Sequence, residues 1–438
     1  MSNHESTSFI PSSSRVIKVH DVVGVGFGVT GLALAAALHE AGRAENALFF
    51  DRRRGFGWHN GMLIEGSTMQ VSFLKDLVTV RNPTSSFSFV SYVHAQGRLS
   101  SFINHDVLMP SRREFHDYLR WVAQQLDHMV RYDTNITSIQ PVIESDIIVA
   151  LDLLAGEEVV ARTKNIVMGT GLRPKMPTGV QTSDRIWHSS ELLDRLSELT
   201  HLPRRVIVVG AGQSAAEVAS YLMDRFPHAE ICSVFSRFGY SAADSNPFAN
   251  RIFDPEAVDT FYSAPSDVKR SLLSYHSNTN YSCVDGDLLR ALYRRHYEQT
   301  VTGVSHFRLH YASRIEKVEK AECGLIAHVK FLPTGEVTTL NSDIIVYATG
   351  YESSDPMDIL GNVGNYVCQD GSGDVCIDRN YGIKTADAFR CGIYVQGATE
   401  ATHGLSSTLL SVAASRAGDI LNSLSRSLGW APSGDGAY

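Results

Sequence analysis

Short apolar runs that end on glycine recur along the chain. Val22 to Val25 is a continuous apolar stretch suited to a buried parallel strand. Gly26, Gly28 and Gly31 follow it, and an Ala/Leu-rich helix is predicted through Leu38 towards Gly42. Ala47 to Phe50 reads as the next strand and ends at Asp51. Phe115, Tyr118, Leu119, Val122 and Leu126 place one buried face on a helix over Glu114 to Leu126. Asp146 to Leu154 and Glu158 to Ala161 can pair around a turn at Gly156, and Ile166 to Gly171 is a further short strand ending in small residues. The opening pattern then repeats, with a β-branched run from Arg205, a turn at Gly210, Gly212 and Ala215, a helix, and a strand over Glu230 to Phe235. Asp343 to Gly350 mirrors Ile166 to Gly171, and Gly392 to Gly397 is a last strand. Ala398 to Ser411 is expected to open a helix reaching about Leu424, with Ser406, Ser407 and Thr408 at its N-terminus. Tyr240 to Tyr297 is interrupted by amides and turn formers until helix resumes at Asp285, and Gly361 to Asp378 reads as an exposed insertion.

This pattern gives an α/β fold with two Rossmann-like dinucleotide-binding domains and a small substrate-binding segment. The expected division is a flexible tail over 1–17, a discontinuous first domain over 18–200 and 335–430, and a second over 201–334 that includes the segment 240–300. In each turn the glycines allow a tight bend and close backbone approach, while the helix amides face a pyrophosphate. Asp51, twenty residues after Gly31, suits a ribose hydroxyl, whereas the second unit ends at Ser236-Arg237. An arginine there accepts a 2′-phosphate that a carboxylate would repel, so the second site should prefer NADPH. Two such turns in one chain most economically bind two nucleotides that exchange electrons.

Composition narrows the class. The 438 residues are 43% hydrophobic and 20% charged, with a formal net charge of -8. No clustered positive charge is present, which argues against nucleic acid as a partner. No apolar run approaches the roughly 18 residues that span a bilayer, and the polar start Met1 to Ser14 lacks the pattern of a signal peptide. Six scattered cysteines without a C-x-x-C pair fit a reduced, cytoplasmic protein with no metal site and no disulfide-reductase motif.

Several side chains stand outside the periodic pattern. Trp58-His59-Asn60-Gly61-Met62 reads as a loop over a ligand. Lys75 stands among apolar residues beside Asp76, and it is either paired with that acid on the surface or turned towards a ligand. Asn250 and Asn280 lie in runs where asparagines commonly serve turns.

The runs W-H-N-G-M, M-Q-V-S-F-L-K-D-L, R-N-P-T-S-S-F-S-F-V-S-Y, G-A-G-Q-S-A-A-E, P-F-A-N-R-I-F-D-P, N-T-N-Y-S, A-T-G-Y and H-G-L-S-S-T-L-L-S occur in order. On these the chain resembles the microbial N-hydroxylating flavin monooxygenases, specifically the ornithine N-monooxygenase branch of siderophore and related peptide biosynthesis. The resemblance implies FAD in the first site, NADPH in the second, L-ornithine at their junction and molecular oxygen as co-substrate, with hydroxylation through a flavin hydroperoxide. It implies that Lys75, Asn250, Asn280 and Ser406 bind the amino acid, and that Trp58, His59 and Gln70 lie near the flavin. Arg112 and Arg237 are implied for the nicotinamide nucleotide. Gln213 and Ser214 of the second turn, Thr349 and Gly350 of A-T-G-Y, and Leu405 complete the cofactor contacts. No side chain is assigned as acid or base. Val29-Thr30-Gly31 departs from the family's usual proline, small residue and Asn or Ser, which puts the local flavin contacts in question. The same chemistry on L-lysine or a diamine, and an NADPH oxidase-like flavoprotein, remain alternatives. Relatives imply a homotetramer.

Overall fold

Four strands of one sheet finish level with each other, and that shared edge organises the first half of the molecule. The computed structural model describes residues 17–279, 281–371 and 373–430. Among them the first sheet runs Val130–Arg131, Ala47–Phe50, Val19–Val25, Glu158–Met168, Ile147–Ala155, Ser138–Glu144, with Gly392–Val395 also paired to Glu158–Met168. Val25 is opposite both Phe50 and Met168, and Met168 is opposite Val395, so these parallel strands end together at the glycine turn. Glu158–Met168 fuses two runs that read as separate strands, because its first half pairs antiparallel with Ile147–Ala155 and its second half parallel with Val19–Val25.

The second sheet is parallel throughout, in the order Phe307–His310, Glu230–Val234, Arg205–Val209, Ile344–Tyr347, Ile186–His188. This corrects the expected division, since Ile186–His188 and Ile344–Tyr347 fall in segments allotted to the first domain. The mirrored strands do not close one domain together: each backs its own turn. A Cβ on Gly26 would lie 2.2 Å from the Gly169 carbonyl oxygen, and one on Gly210 would lie 2.4 Å from that of Ala348. The chain crosses between the two sheets at Leu172–Pro174 and returns at Tyr351–Ser353, and these crossings pair antiparallel. A three-stranded antiparallel sheet, Ser313–Ala321, Gly324–Phe331 and Val337–Ser342, buries Leu325, Ala327 and Val329 against Ile207, Val234 and Ile345.

Helix Val29–Glu40 is buried along Gly31 to Leu38 and packs against helix Ala413–Leu428. The continuous helix expected from Ala398 is instead broken. A short helix Glu400–His403 stops at Gly404 (φ 86°), two 3-10 turns follow over Leu405–Thr408 and Leu410–Val412, and the long helix begins only at Ala413. Ser406, Ser407 and Thr408 therefore occupy a turn and not a helix N-terminus. Residues 361–378 are not simply exposed either, because Val363 and the preceding Leu360 are fully buried against the first sheet.

Candidate functional site

At the first glycine turn the backbone is open to a ligand where it matters. Gly28 is the N-cap of helix Val29–Glu40 with no side-chain cap, and a Cβ there would meet nothing within 4 Å. Its neighbours have no such room: a Cβ on Gly31 would lie 2.4 Å from the Gly26 carbonyl. The turn therefore presents uncapped helix amides on one side and presses on its own backbone on the other. Asp51 is buried and braces it. Its Oδ2 accepts from the Phe27 N–H at 2.9 Å, and Arg53 donates to both carboxylate oxygens. Burial pushes this carboxyl up, but the Arg53 hydrogen bonds and charge and the Phe27 N–H outweigh it, so the pKa lies below the ordinary value.

Aromatic and imidazole groups gather between the two sheets. His59, held in the left-handed region at φ 51°, has Trp58 at 4.7 Å and Tyr351 at 6.2 Å between ring centroids. It is open to solvent on one side yet enclosed by protein on the others; desolvation, and then the charge of Arg112, depress its pKa to about 4. His188 stands edge-on to Tyr351 at 5.2 Å, and its Nε2 is 3.0 Å from the Gly350 carbonyl oxygen. That oxygen also accepts from the Lys175 N–H, and the Thr349 hydroxyl donates to the Lys175 carbonyl, so A-T-G-Y is anchored to the outgoing crossing. Gln70 is exposed on its loop.

Arg112 is engaged within the protein. Its guanidinium makes paired hydrogen bonds of 2.9 and 2.7 Å to Glu217, and donates at 3.0 Å to the Met62 carbonyl. Arg112 begins helix Arg112–Gln125 of the first unit, and Glu217 lies on helix Gln213–Arg225 of the second. Here Arg112, expected at the nicotinamide nucleotide, forms a largely buried clamp between the units. Gln213 extends the clamp, donating to Glu217 and accepting from the Asp285 N–H at 2.8 Å. Ser214 follows it in the first turn of the helix, after the uncapped N-cap Gly212. Arg237 is exposed just after strand Glu230–Val234; its guanidinium donates at 3.1 Å to the Ser282 carbonyl, and its own carbonyl accepts from the Ala312 N–H.

Lys75 and Asp76 face different ways. Asp76 is buried and accepts from the N–H groups of Val78, Thr79 and Phe89. Lys75 turns instead towards the second unit, with its Nζ 4.0 Å from Asp254. Asp254 occupies the N-cap position of helix Pro255–Ser263 without a side-chain capping bond, directly after the 3-10 turn Ala249–Phe253 that carries Asn250. This turn packs on Leu405–Thr408, so the 249–254 segment meets both Lys75 and the turn that carries Leu405 and Ser406. Asn280 lies outside the described residues. Asp254 and Glu217 were not singled out from the sequence, although each sits inside a quoted run; an acid there signals nothing until the fold shows the cation it faces.

Residues 18–353 match the family of L-lysine 6-monooxygenase/L-ornithine 5-monooxygenase. The chain belongs to that family. It is 36% identical to an L-ornithine N(5)-monooxygenase of Pseudomonas aeruginosa, over 93% of this chain and 94% of that one. It is 38% identical to the Burkholderia cepacia protein of the same name, over 88% and 90%. Among solved structures, the ornithine N-hydroxylase of Kutzneria sp. 744, described with reduced FAD, NADP⁺ and L-ornithine, superposes with a TM-score of 0.90 at 44% identity, covering 93% of this chain and 99% of that one.

In this family member a set of buried polar groups near the junction lacks protein partners. Both ends of the Gln396 amide, the hydroxyls of Thr399, Ser407 and Ser411, and Nε and one terminal nitrogen of Arg416 are buried without a hydrogen bond. Buried polar atoms are normally satisfied, so the segment from the end of strand Gly392–Val395 to helix Ala413–Leu428 is built around a polar ligand or ordered water. His403 stacks on Tyr381 at 4.1 Å within it.

Proposed function

We propose that this chain is an FAD- and NADPH-dependent monooxygenase that hydroxylates the side-chain amine of L-ornithine. The meeting of the 249–254 segment, which carries Asn250, with Lys75 on one side and with the turn of Ser406 on the other, in a chain with two dinucleotide turns, supports the reading. FAD fits the first turn, where uncapped amides at Gly28 suit its pyrophosphate and the unpartnered groups at Gln396, Thr399 and Ser407 suit the polar edge of a flavin. Bound there, with NADPH at Gly210, Gly212, Ser214 and Arg237, it would supply the activation of oxygen.

The chain's own residues do the rest. Lys75 holds the substrate carboxylate and so fixes how far the side-chain amine reaches towards the flavin. Such an amine has a pKa of about 10.4 in water and arrives protonated, so its lone pair is freed by desolvation between the two units. His59, with its pKa depressed to about 4, stays neutral and adds no cation to repel it. The largely buried Arg112–Glu217 clamp ties the two units together. A homotetramer and a cytoplasmic location go with this reading. Exposed Tyr293, Tyr297 and Val301 recur at four-residue spacing on helix Gly286–Thr302, which supports assembly, and light scattering measures it.

The decisive assay is mass spectrometry of products from L-ornithine, L-lysine and putrescine with NADPH and oxygen. N5-hydroxyornithine from a yellow protein is expected; peroxide alone would make the chain an oxidase. Lys75→Ala should raise the ornithine KM at least about tenfold with flavin content intact. An unchanged KM would remove Lys75 from the site.

A further inference from the structure

Three short stretches of chain close on one another between residues 367 and 385. Val367 is bridged to Thr385, Gln369 to Val375 and Ile377 to Ile383, all antiparallel. Cys368, Cys376 and Lys384 lie next to these bridges, and their backbones form a closed ring. The Cys376 N–H donates to the Cys368 carbonyl at 2.9 Å, the Cys368 N–H to that of Lys384 at 2.8 Å, and the Lys384 N–H to that of Cys376 at 2.8 Å. Each of the three residues is therefore directly opposite the other two.

Alternate residues of an extended chain point to opposite sides. Val367, Val375, Ile377 and Ile383 pack into the core of the first unit, so Cys368, Cys376 and Lys384 turn the other way together. Cys368 is exposed and Cys376 half-buried. Directly opposed antiparallel residues hold their Cβ atoms about 4.5–5.5 Å apart, and a disulfide needs about 3.5–4.5 Å. A single hydrogen bond joins the two cysteines, because the Cys368 N–H is committed to Lys384, and this leaves the pair able to close by about 1 Å.

The remaining cysteines are placed differently. Cys232, Cys283 and Cys391 are buried, and desolvation pushes their thiols up, to about 12 for Cys232 and Cys391, which withdraws them from oxidation. Cys323 is exposed in the turn between strands Ser313–Ala321 and Gly324–Phe331, far along the chain in the three-stranded sheet.

The geometry points to a reversible oxidation site at Cys368 and Cys376, with hydrogen peroxide as the oxidant. The exposed Cys368 thiolate takes one oxygen as the O–O bond breaks, which gives a sulfenic acid and one water. The Cys376 thiolate then attacks that sulfur; the S–S bond forms, the S–O bond breaks, and the oxygen leaves as a second water. The two thiols give up two electrons to peroxide, and both thiol protons end in water. A disulfide this exposed is labile, so a thiol reductant restores the pair. The site stands apart from the proposed function, since it needs neither substrate nor turnover.

The test is peptide mapping without reductant, on holoenzyme treated with hydrogen peroxide and then alkylated. Asp370 and Asp374 lie between the two cysteines, so cleavage at aspartate separates them unless a bond joins them. The expected result is a pair of fragments that stay together until dithiothreitol is added, with complete loss of that species in C368S and in C376S. A sulfenic-acid trap should label Cys368 in C376S, where no second thiol can resolve the intermediate, and leave that position unlabelled in the native protein. Sulfinic acid at either position without the crosslink, a crosslink from either to Cys323, or oxidation of Cys323 while this pair stays reduced overturns the assignment.

Discussion

The two glycine turns are built alike and bedded differently. Each puts its first glycine against a carbonyl of a neighbouring strand end, and each opens an uncapped helix. Helix Val29–Glu40, however, is buried continuously from Gly31 to Leu38, whereas Gln213–Arg225 is buried continuously only from Ala215 to Ala219 and again at Leu222. The charged residue after the next strand differs in the same sense, since Asp51 is buried and bound by Arg53 and Phe27, while Arg237 is exposed. A turn sunk in the core suits a nucleotide that stays, and a turn on an open face suits one that exchanges at each turnover.

The harshest way to break this comparison is to put a methyl group on each turn. Gly26→Ala sets a Cβ 2.2 Å from the Gly169 carbonyl at φ 96°, a conformation that L residues rarely adopt, and Gly210→Ala does the same 2.4 Å from Ala348. The first variant should lose its flavin and most of its folded yield. The second should stay yellow and lose NADPH-driven bleaching. Visible absorbance with and without NADPH decides, and a colourless Gly210→Ala would erase the distinction.

Next in size is the clamp between the regions. Arg112 and Glu217 are 12% and 7% exposed, and removing one partner of such a pair costs about 3–5 kcal/mol because the other charge is left buried. Arg112→Gln should lower the melting temperature and slow flavin reduction by NADPH, with part of both recovered in the exchange R112E/E217R. Calorimetry showing no loss in the single variant would mean that the units hold together without it.

The turns were legible in the sequence because glycine spacing is a local property, and the α/β class followed from strands and helices that alternate around them. Sheet membership was not local. Ile344–Tyr347 and the end of Glu158–Met168 carry the same apolar-then-small pattern, and only the register with Arg205–Val209 or Val19–Val25 separates them. The break at Gly404 was hidden for a related reason. H-G-L-S-S reads as a capped helix until the packing of Phe261, 3.2 Å from where a Gly404 Cβ would stand, shows what the chain must pass. Lys75 stood out as a lone cation, but its facing acid lies on another unit, where no periodicity could point to it.

Acid should loosen the first region selectively. His403 is buried, and desolvation depresses its pKa to about 4, with Arg379, Arg416 and Lys269 adding to the fall against a hydrogen bond to the Arg379 carbonyl. Its folded pKa lies below the unfolded value of 6.5, so below pH 6.5 the unfolded chain binds the proton that the fold refuses. Stability contributed by the neutral imidazole is complete above pH 6.5, falls as pH drops towards 4 and levels off below; its upper bound is on the order of 3 kcal/mol. Urea unfolding of the native protein and of His403→Gln across this window should show a shallower acid slope in the variant. Parallel slopes would place the acid sensitivity elsewhere.

The mildest and most specific probe is Arg237, because it tests exchange without disturbing the fold. Its guanidinium ends the second unit's strand in solvent, so removing it leaves no buried group unpaired. A 2′-phosphate would lose one charge-assisted contact, worth about tenfold in KM and screened by salt because the site is open. Arg237→Ala should therefore raise the NADPH KM about tenfold at low ionic strength and less at high, with NADH barely affected. An equal rise for both nucleotides would mean that the residue supports the turn through Ser282, and the second region would then be less open than its surface makes it look.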